Sequence, residues 1–244
     1  MKNYGLIGKS LSHSFSKQFF EEKFRKENIL ATYSNFELES IDEVKDLFDK
    51  GGLDGLNVTV PYKEAILPYL DQISDEAKEI GAVNTVVFEN GKTIGYNTDA
   101  HGFHQSIKPF LMNTHHRAMI LGTGGASKAV AYVLQKIGLD VIYISRNPTK
   151  EEHFEYKEIN SFMLQAFGLI VNTTPVGTFP NVTDMPDLPT AFLSDRHLVI
   201  DLIYNPEKSE LLTQAEKKGA VILNGSTMLK EQALMAYKIW TGTI

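Results

Sequence analysis

The chain has 244 residues, 43% hydrophobic, 22% charged and 10% aromatic, an ordinary globular composition that excludes a disordered, collagen-like or coiled-coil chain. It contains no cysteine, which excludes disulfides and thiolate metal sites, and its net charge of −6 without a lysine/arginine run argues against nucleic acid as a partner. No apolar stretch approaches the roughly 20 residues of a membrane helix, and the first apolar run is too short for a signal peptide, so a cytoplasmic protein handling small molecules is expected, without a membrane partner.

Short apolar runs alternate with amphipathic stretches along the whole chain. YGLIG (4–8) predicts the first strand, and FSKQFFEEKFRKENI predicts a helix with Phe15, Phe19, Phe20 and Phe24 on one face. The junction, Ser12-His13-Ser14-Phe15-Ser16, carries hydroxyls at alternate positions. One of them caps the helix by default; three, together with helix N-terminal amides, would also suit a carboxylate or polyol. IDEVKDLFDKG predicts a helix closed by Gly51. LNVTV (56–60) predicts a strand with Asn57 and Thr59 on one side and Val58 and Val60 on the other, and Pro61 then starts a helix. Lys63 falls in that helix's first turn, where a lysine opposes the dipole; a solvated surface lysine and a functional one both remain open. AVNTVVF (82–88) predicts a strand bearing Asn84, and GYNTD leads into the helix HGFHQSIKPFL, with Asp99 either its N-cap or a functional acid.

AMILG (118–122) then ends in Gly122-Thr123-Gly124-Gly125-Ala126-Ser127, followed by a helix with Ala129, Val130, Val133, Leu134 and Ile137 on its apolar face. A buried strand, a glycine turn and a helix N-terminus make a pyrophosphate cradle, although a purely structural turn has the same pattern. The next strand, DVIYIS (140–145), runs into Ser145-Arg146-Asn147 with Lys150 nearby and no acid before Glu151. A carboxylate there would bind a ribose 2′-hydroxyl; a guanidinium suits a 2′-phosphate, which favours NADP over NAD, the alternative being a solvated loop arginine. LIVNTT (169–174), LVIDLIY (198–204) and AVILN (220–224) complete the strands, ELLTQAEKKG is a helix ending at Gly219, and GSTMLKEQALMAYKIWTG closes the chain as an amphipathic helix. Strand–helix alternation of this kind reads as α/β with a largely parallel sheet, and the glycine-turn unit places a domain boundary near residue 100. The seven histidines show no metal-ligand spacing, so no metal is expected.

SLSHSFSKQF, NVTVPYKE, IGAVNT, GYNTD, GTGGASKA, DLIYNP and GSTMLKEQA occur in the order and spacing of shikimate dehydrogenases, and the chain resembles that family from residue 4 to about 240. The resemblance implies two α/β domains: a substrate-binding domain of residues 1–100 completed by 225–244, and a Rossmann-type NADP-binding domain of 101–224, with the active-site cleft between them. It implies reversible NADPH-dependent reduction of 3-dehydroshikimate to shikimate, within chorismate and aromatic amino-acid biosynthesis, by a monomer or homodimer. Carried over by motif, Lys63 and Asp99 would be the catalytic pair. Ser14, Ser16, Asn57, Thr59, Asn84, Tyr204 and Gln232 would bind substrate. Gly122, Gly124, Gly125, Ala126 and Ser127 would cradle the pyrophosphate and Arg146 with Lys150 the 2′-phosphate, while Leu202, Gly225 and Met228 would frame the nicotinamide. The chain departs from the family's pattern at Lys17, at Ser145-Arg146-Asn147 and at Gly225-Ser226-Thr227. The alternatives are a quinate/shikimate dehydrogenase with relaxed substrate or cofactor use, and a non-catalytic NADP-binding sensor.

Overall fold

The computed structural model describes residues 1–12 and 14–243; His13, in the hydroxyl-rich junction, lies outside the described residues. The chain divides into two compact units, Met1–Thr98 with Ala233–Ile244, and Asp99–Gln232.

The first unit runs β1 (Lys2–Gly8), α1 (Phe15–Lys26), β2 (Ala31–Glu37), α2 (Val44–Asp49), β3 (Gly55–Val58), α3 (Tyr62–Ala65), β4 (Gln72–Ile73), α4 (Asp75–Ile80), β5 (Thr85–Glu89) and β6 (Lys92–Tyr96). Its sheet has the order β2-β1-β3-β5-β6-β4. β1 pairs in parallel with β2 and β3, whereas β5 is antiparallel to β3 and β6. The register sets Asn57 opposite Thr85 and Thr85 opposite Tyr96, so the end of β3, the start of β5 and the end of β6 share one edge of the sheet. Ile7, Leu56, Val58 and Val86 bury one core, while Tyr4, Phe20, Phe24, Tyr33 and Trp240 bury another. Trp240, from the closing helix, donates Nε1–H to the Val86 carbonyl at 2.9 Å and so ties the C-terminus to β5.

The second unit runs α5 (Asp99–Ile107), β7 (Arg117–Leu121), α6 (Gly125–Lys136), β8 (Asp140–Ile144), β9 (His153–Phe154), α7 (Ser161–Ala166), β10 (Leu169–Asn172), β11 (Leu198–Asp201), α8 (Glu210–Lys217), β12 (Val221–Asn224) and α9 (Ser226–Thr241), whose last turns belong to the first unit. Its sheet is parallel throughout, in the order β12-β11-β10-β7-β8-β9. Counted from β7 this is the 3-2-1-4-5-6 order of dinucleotide-binding sheets, whose direction reverses between β7 and β10 and whose ligand crevice lies outside the carboxyl ends of the strands at that point. The α/β class and the nucleotide-binding architecture are therefore as expected.

Several local expectations are corrected. β2, β4, β6 and β9 escape the apolar-run reading because two of them have two residues each, ATYSNFE buries only Tyr33, and KTIGY alternates buried and accessible positions. β3 ends at Val58, and Val60 is 72% exposed, so Val58 and Val60 do not share a buried side. Pro61 is the N-cap of α3 and not its first residue, and α3 is a single turn of four residues, so the dipole penalty inferred for Lys63 has little force. Ile137 is the C-cap of α6, partly exposed, while Ser127 and Ala131 join the buried face. Asp99 is the first residue of α5 and not its cap.

Candidate active site

In the first unit the polar residues gather at the shared sheet edge. Tyr33, on β2, donates its hydroxyl to Asn57 Oδ1 at 2.8 Å. The Asn57 amide nitrogen donates to the Asn84 carbonyl and to Thr85 Oγ1, each at 3.3 Å. Asn84 Oδ1 accepts the Thr98 backbone N–H at 2.7 Å and the Thr85 hydroxyl at 3.1 Å. Tyr33, Asn57 and Asn84 thus belong to one hydrogen-bonded chain, with both asparagines under 5% exposed. Buried amides so fully paired hold their orientation, because an unpaired polar group there would cost on the order of 1–3 kcal/mol. Lys63 is half-buried, and its backbone carbonyl accepts the Val83 N–H at 2.8 Å, which pins the start of α3 beside Asn84. Thr59 is anchored by its N–H to the Ile7 carbonyl at 2.9 Å. Ser14 does what its default reading states: it caps α1, accepting from the Lys17 N–H at 3.4 Å.

In the second unit Asp99 is buried, 5% exposed, at the head of α5. One turn later on the same helix face, Gly102 lets α9 approach so closely that a Cβ there would lie 2.5 Å from the Met228 carbonyl and 2.9 Å from Gln232 Cβ. Gly122 sits at φ +106° directly after β7, and a side chain there would meet Thr173 Oγ1 at 2.8 Å. Gly124 caps α6 with no side-chain bond to the first amides, and a Cβ at Gly124 would meet nothing within 4 Å. Open backbone donors at a twelve-residue helix N-terminus, at the sheet's switch point, fit a dinucleotide pyrophosphate. The Ser127 hydroxyl is turned inward, donating to the Gly124 carbonyl at 2.6 Å, so only its backbone faces the cradle. Arg146 and Lys150 lie exposed on the loop after β8. Leu202 and Gly225 are in close register: a Cβ on Gly225 would fall 2.0 Å from the Leu202 carbonyl. Met228 is buried on the first turns of α9. Tyr204 is 38% exposed, and partial burial pushes its hydroxyl pKa above the usual tyrosine value, keeping it a proton donor. Among the described residues no cluster of three or more histidine, aspartate or glutamate side chains could hold a metal ion.

Residues 6–86 match the family described as shikimate dehydrogenase substrate binding domain. A shikimate dehydrogenase (NADP(+)) of Pyrococcus abyssi is 37% identical, over 99% of this chain and 93% of its own length. The chain belongs to the shikimate dehydrogenase family. The crystal structure of shikimate dehydrogenase from Aquifex aeolicus superposes with TM-score 0.86 at 39% identity, covering 99% of this chain and 93% of that one. That of the Thermus thermophilus enzyme, in complex with NADP(H) and shikimate, gives TM-score 0.88 at 30% identity, covering 99% and 94%.

The carboxylate of DLIYNP receives no role in the sequence reading because it lies within an apolar strand. Asp201, fully buried at the end of β11, accepts from Asn172 Nδ2 at 3.0 Å, the Ile203 N–H at 3.1 Å and the Ser209 hydroxyl at 2.5 Å. Asn172 in turn accepts the Thr174 N–H at 3.0 Å, which seats Thr174 against Gly122. Burial raises the Asp201 pKa from 3.8 to about 6 despite these donors. A carboxyl raised on folding stabilises the native state fully below pH 3.8, and this contribution is lost as pH rises through about 6. The loss corresponds to on the order of 3 kcal/mol. We expect Asp201→Asn to flatten the dependence of unfolding free energy on pH between about 4 and 6. Denaturant titrations of both proteins across that window measure it, and an identical slope in the two would count against the assignment.

Proposed function

We propose that this protein is a cytoplasmic NADP-dependent shikimate dehydrogenase, interconverting 3-dehydroshikimate and shikimate. The observation that carries the reading is the pairing of a donor-rich sheet edge around Asn57 and Asn84 with an uncapped helix N-terminus at Gly124 in a dinucleotide-type sheet. The domain assignment follows: residues 1–100 with 225–244 bind substrate and 101–224 bind NADP. When bound, NADP supplies the hydride acceptor or donor.

The protein's part is to position, to stabilise charge and to handle one proton. Ser14, Ser16 and Tyr204 offer hydroxyl donors to the substrate carboxylate, with Asn57, Thr59, Asn84 and Gln232 completing its polar contacts. Lys63 and Asp99 flank the reacting oxygen: the lysine ammonium gives its proton to the developing alkoxide in reduction, and its amine takes the proton back in oxidation. The backbone of Gly122 and of Gly124 to Ser127 holds the pyrophosphate, and that of Leu202, Gly225 and Met228 frames the nicotinamide.

Arg146, with Lys150, takes the 2′-phosphate. Arg146→Ala should therefore raise KM for NADP about tenfold while leaving KM for NAD within twofold, since an exposed charge-assisted contact contributes modestly. Parallel kcat/KM measurements with both cofactors decide it, and an equal loss for the two would remove Arg146 from phosphate recognition. The reading as a whole is tested by following absorbance of the reduced nicotinamide with purified protein, shikimate or quinate, and NADP or NAD. Turnover with shikimate and NADP is expected; binding of NADPH without any turnover would overturn the enzymatic reading.

A further inference from the structure

We propose that Tyr33 is a positioning residue of the substrate site, which fixes the hydrogen-bond polarity of Asn57 from behind. The inference rests on the assignment of Asn57 to shikimate binding. Tyr33 lies on β2, where the sequence reading places no function, and is 3% exposed. Its ring stacks on Phe20 at 4.8 Å between centroids and lies 6.4 Å from Trp240, so its direction is set by the aromatic core. Its hydroxyl emerges from that core at Asn57 on β3.

A phenol has one proton to give. Here it goes to Asn57 Oδ1, because the Asn57 amide nitrogen already faces the Asn84 carbonyl and Thr85 Oγ1. Asn57 therefore has its carbonyl satisfied from the core side and its two N–H donors held toward β5. Without the hydroxyl, the Asn57 carbonyl would lie buried with no donor, and the side chain would lose the bond that fixes it from the core side.

Tyr33→Phe removes this hydroxyl and keeps the ring. We expect KM for shikimate to rise about tenfold, with kcat and KM for NADP within about twofold of wild type. A merely structural role would move both KM values together with the thermal midpoint, and that result, or an unchanged KM for shikimate, would overturn the proposal. A second readout needs no turnover: in nitrogen-labelled protein the side-chain amide resonances of Asn57 should shift and broaden in Tyr33→Phe. Identical resonances would likewise overturn it. Absence of shikimate oxidation in the wild type would instead strike the functional reading, leaving the amide resonances to decide the role of Tyr33.

Discussion

Lys63→Ala is expected to lower kcat for shikimate oxidation by about 10²–10⁴, with only a modest change in KM. The lysine is half-buried at the second position of α3, and its carbonyl is pinned to the Val83 N–H at 2.8 Å. That bond places its stem next to the segment carrying Asn84, whose amide is held by Thr85 and Thr98. In the proposed reading, substrate contacts made by Asn57, Thr59 and Asn84 exist before and during the reaction. The ammonium, by contrast, gains most when negative charge builds on the reacting oxygen, and an interaction of that kind shows in kcat and not in KM. Lys63→Arg separates the two services of the ammonium. A guanidinium retains the charge but stays protonated, so recovery by arginine assigns charge stabilisation and a loss like that of alanine assigns proton transfer. Near-normal turnover in Lys63→Ala, measured at saturating shikimate and NADP, would remove the residue from the catalytic pair.

The features legible in the sequence are those with local causes. Gly51 and Gly219 take φ of +65° and +84°, the left-handed positions that end α2 and α8 as the composition of those helices announced. The glycine turn was legible for the same reason, since a strand, a positive-φ glycine at Gly122 and a helix with small residues at its start leave few alternatives. Features whose cause is tertiary were not legible. Nothing in ATYSNFE says that Tyr33 will pair with Tyr4 across β1 and β2 and reach Asn57, 24 residues on. Asp201 reads as an interruption of LVIDLIY until β10 lies beside β11 and brings Asn172 opposite it. Lys63 illustrates the converse: the helix-dipole argument that drew attention to it weakens once α3 proves to be one turn, and its place beside Val83 gives a firmer reason to single it out.

Gly225→Ala should raise the dissociation constant for NADP about 100-fold and lower the thermal midpoint by several degrees, while shikimate binding to the free protein stays within about twofold. The cause is steric and lies in the backbone. A Cβ at this position would stand 2.0 Å from the Leu202 carbonyl oxygen and 2.6 Å from its carbon, and neither atom can rotate away as a side-chain tip could. Leu202 is held by its N–H to the Asn172 carbonyl at 3.0 Å, and Gly225 by its own N–H to the Ile203 carbonyl at 3.0 Å, so the strain must separate the end of β11 from the start of α9. Those are the two backbone segments proposed to frame the nicotinamide. Forcing a methyl group into such packing costs about 1–3 kcal/mol, and the upper end corresponds to the stated loss of affinity if it falls on the bound conformation. Fluorescence titration with NADP and with shikimate, beside a thermal melt, separates the outcomes. Loss of both affinities would mean general unfolding, and retention of NADP affinity despite a lowered melting point would show that the Leu202–Gly225 contact supports the fold without framing the cofactor.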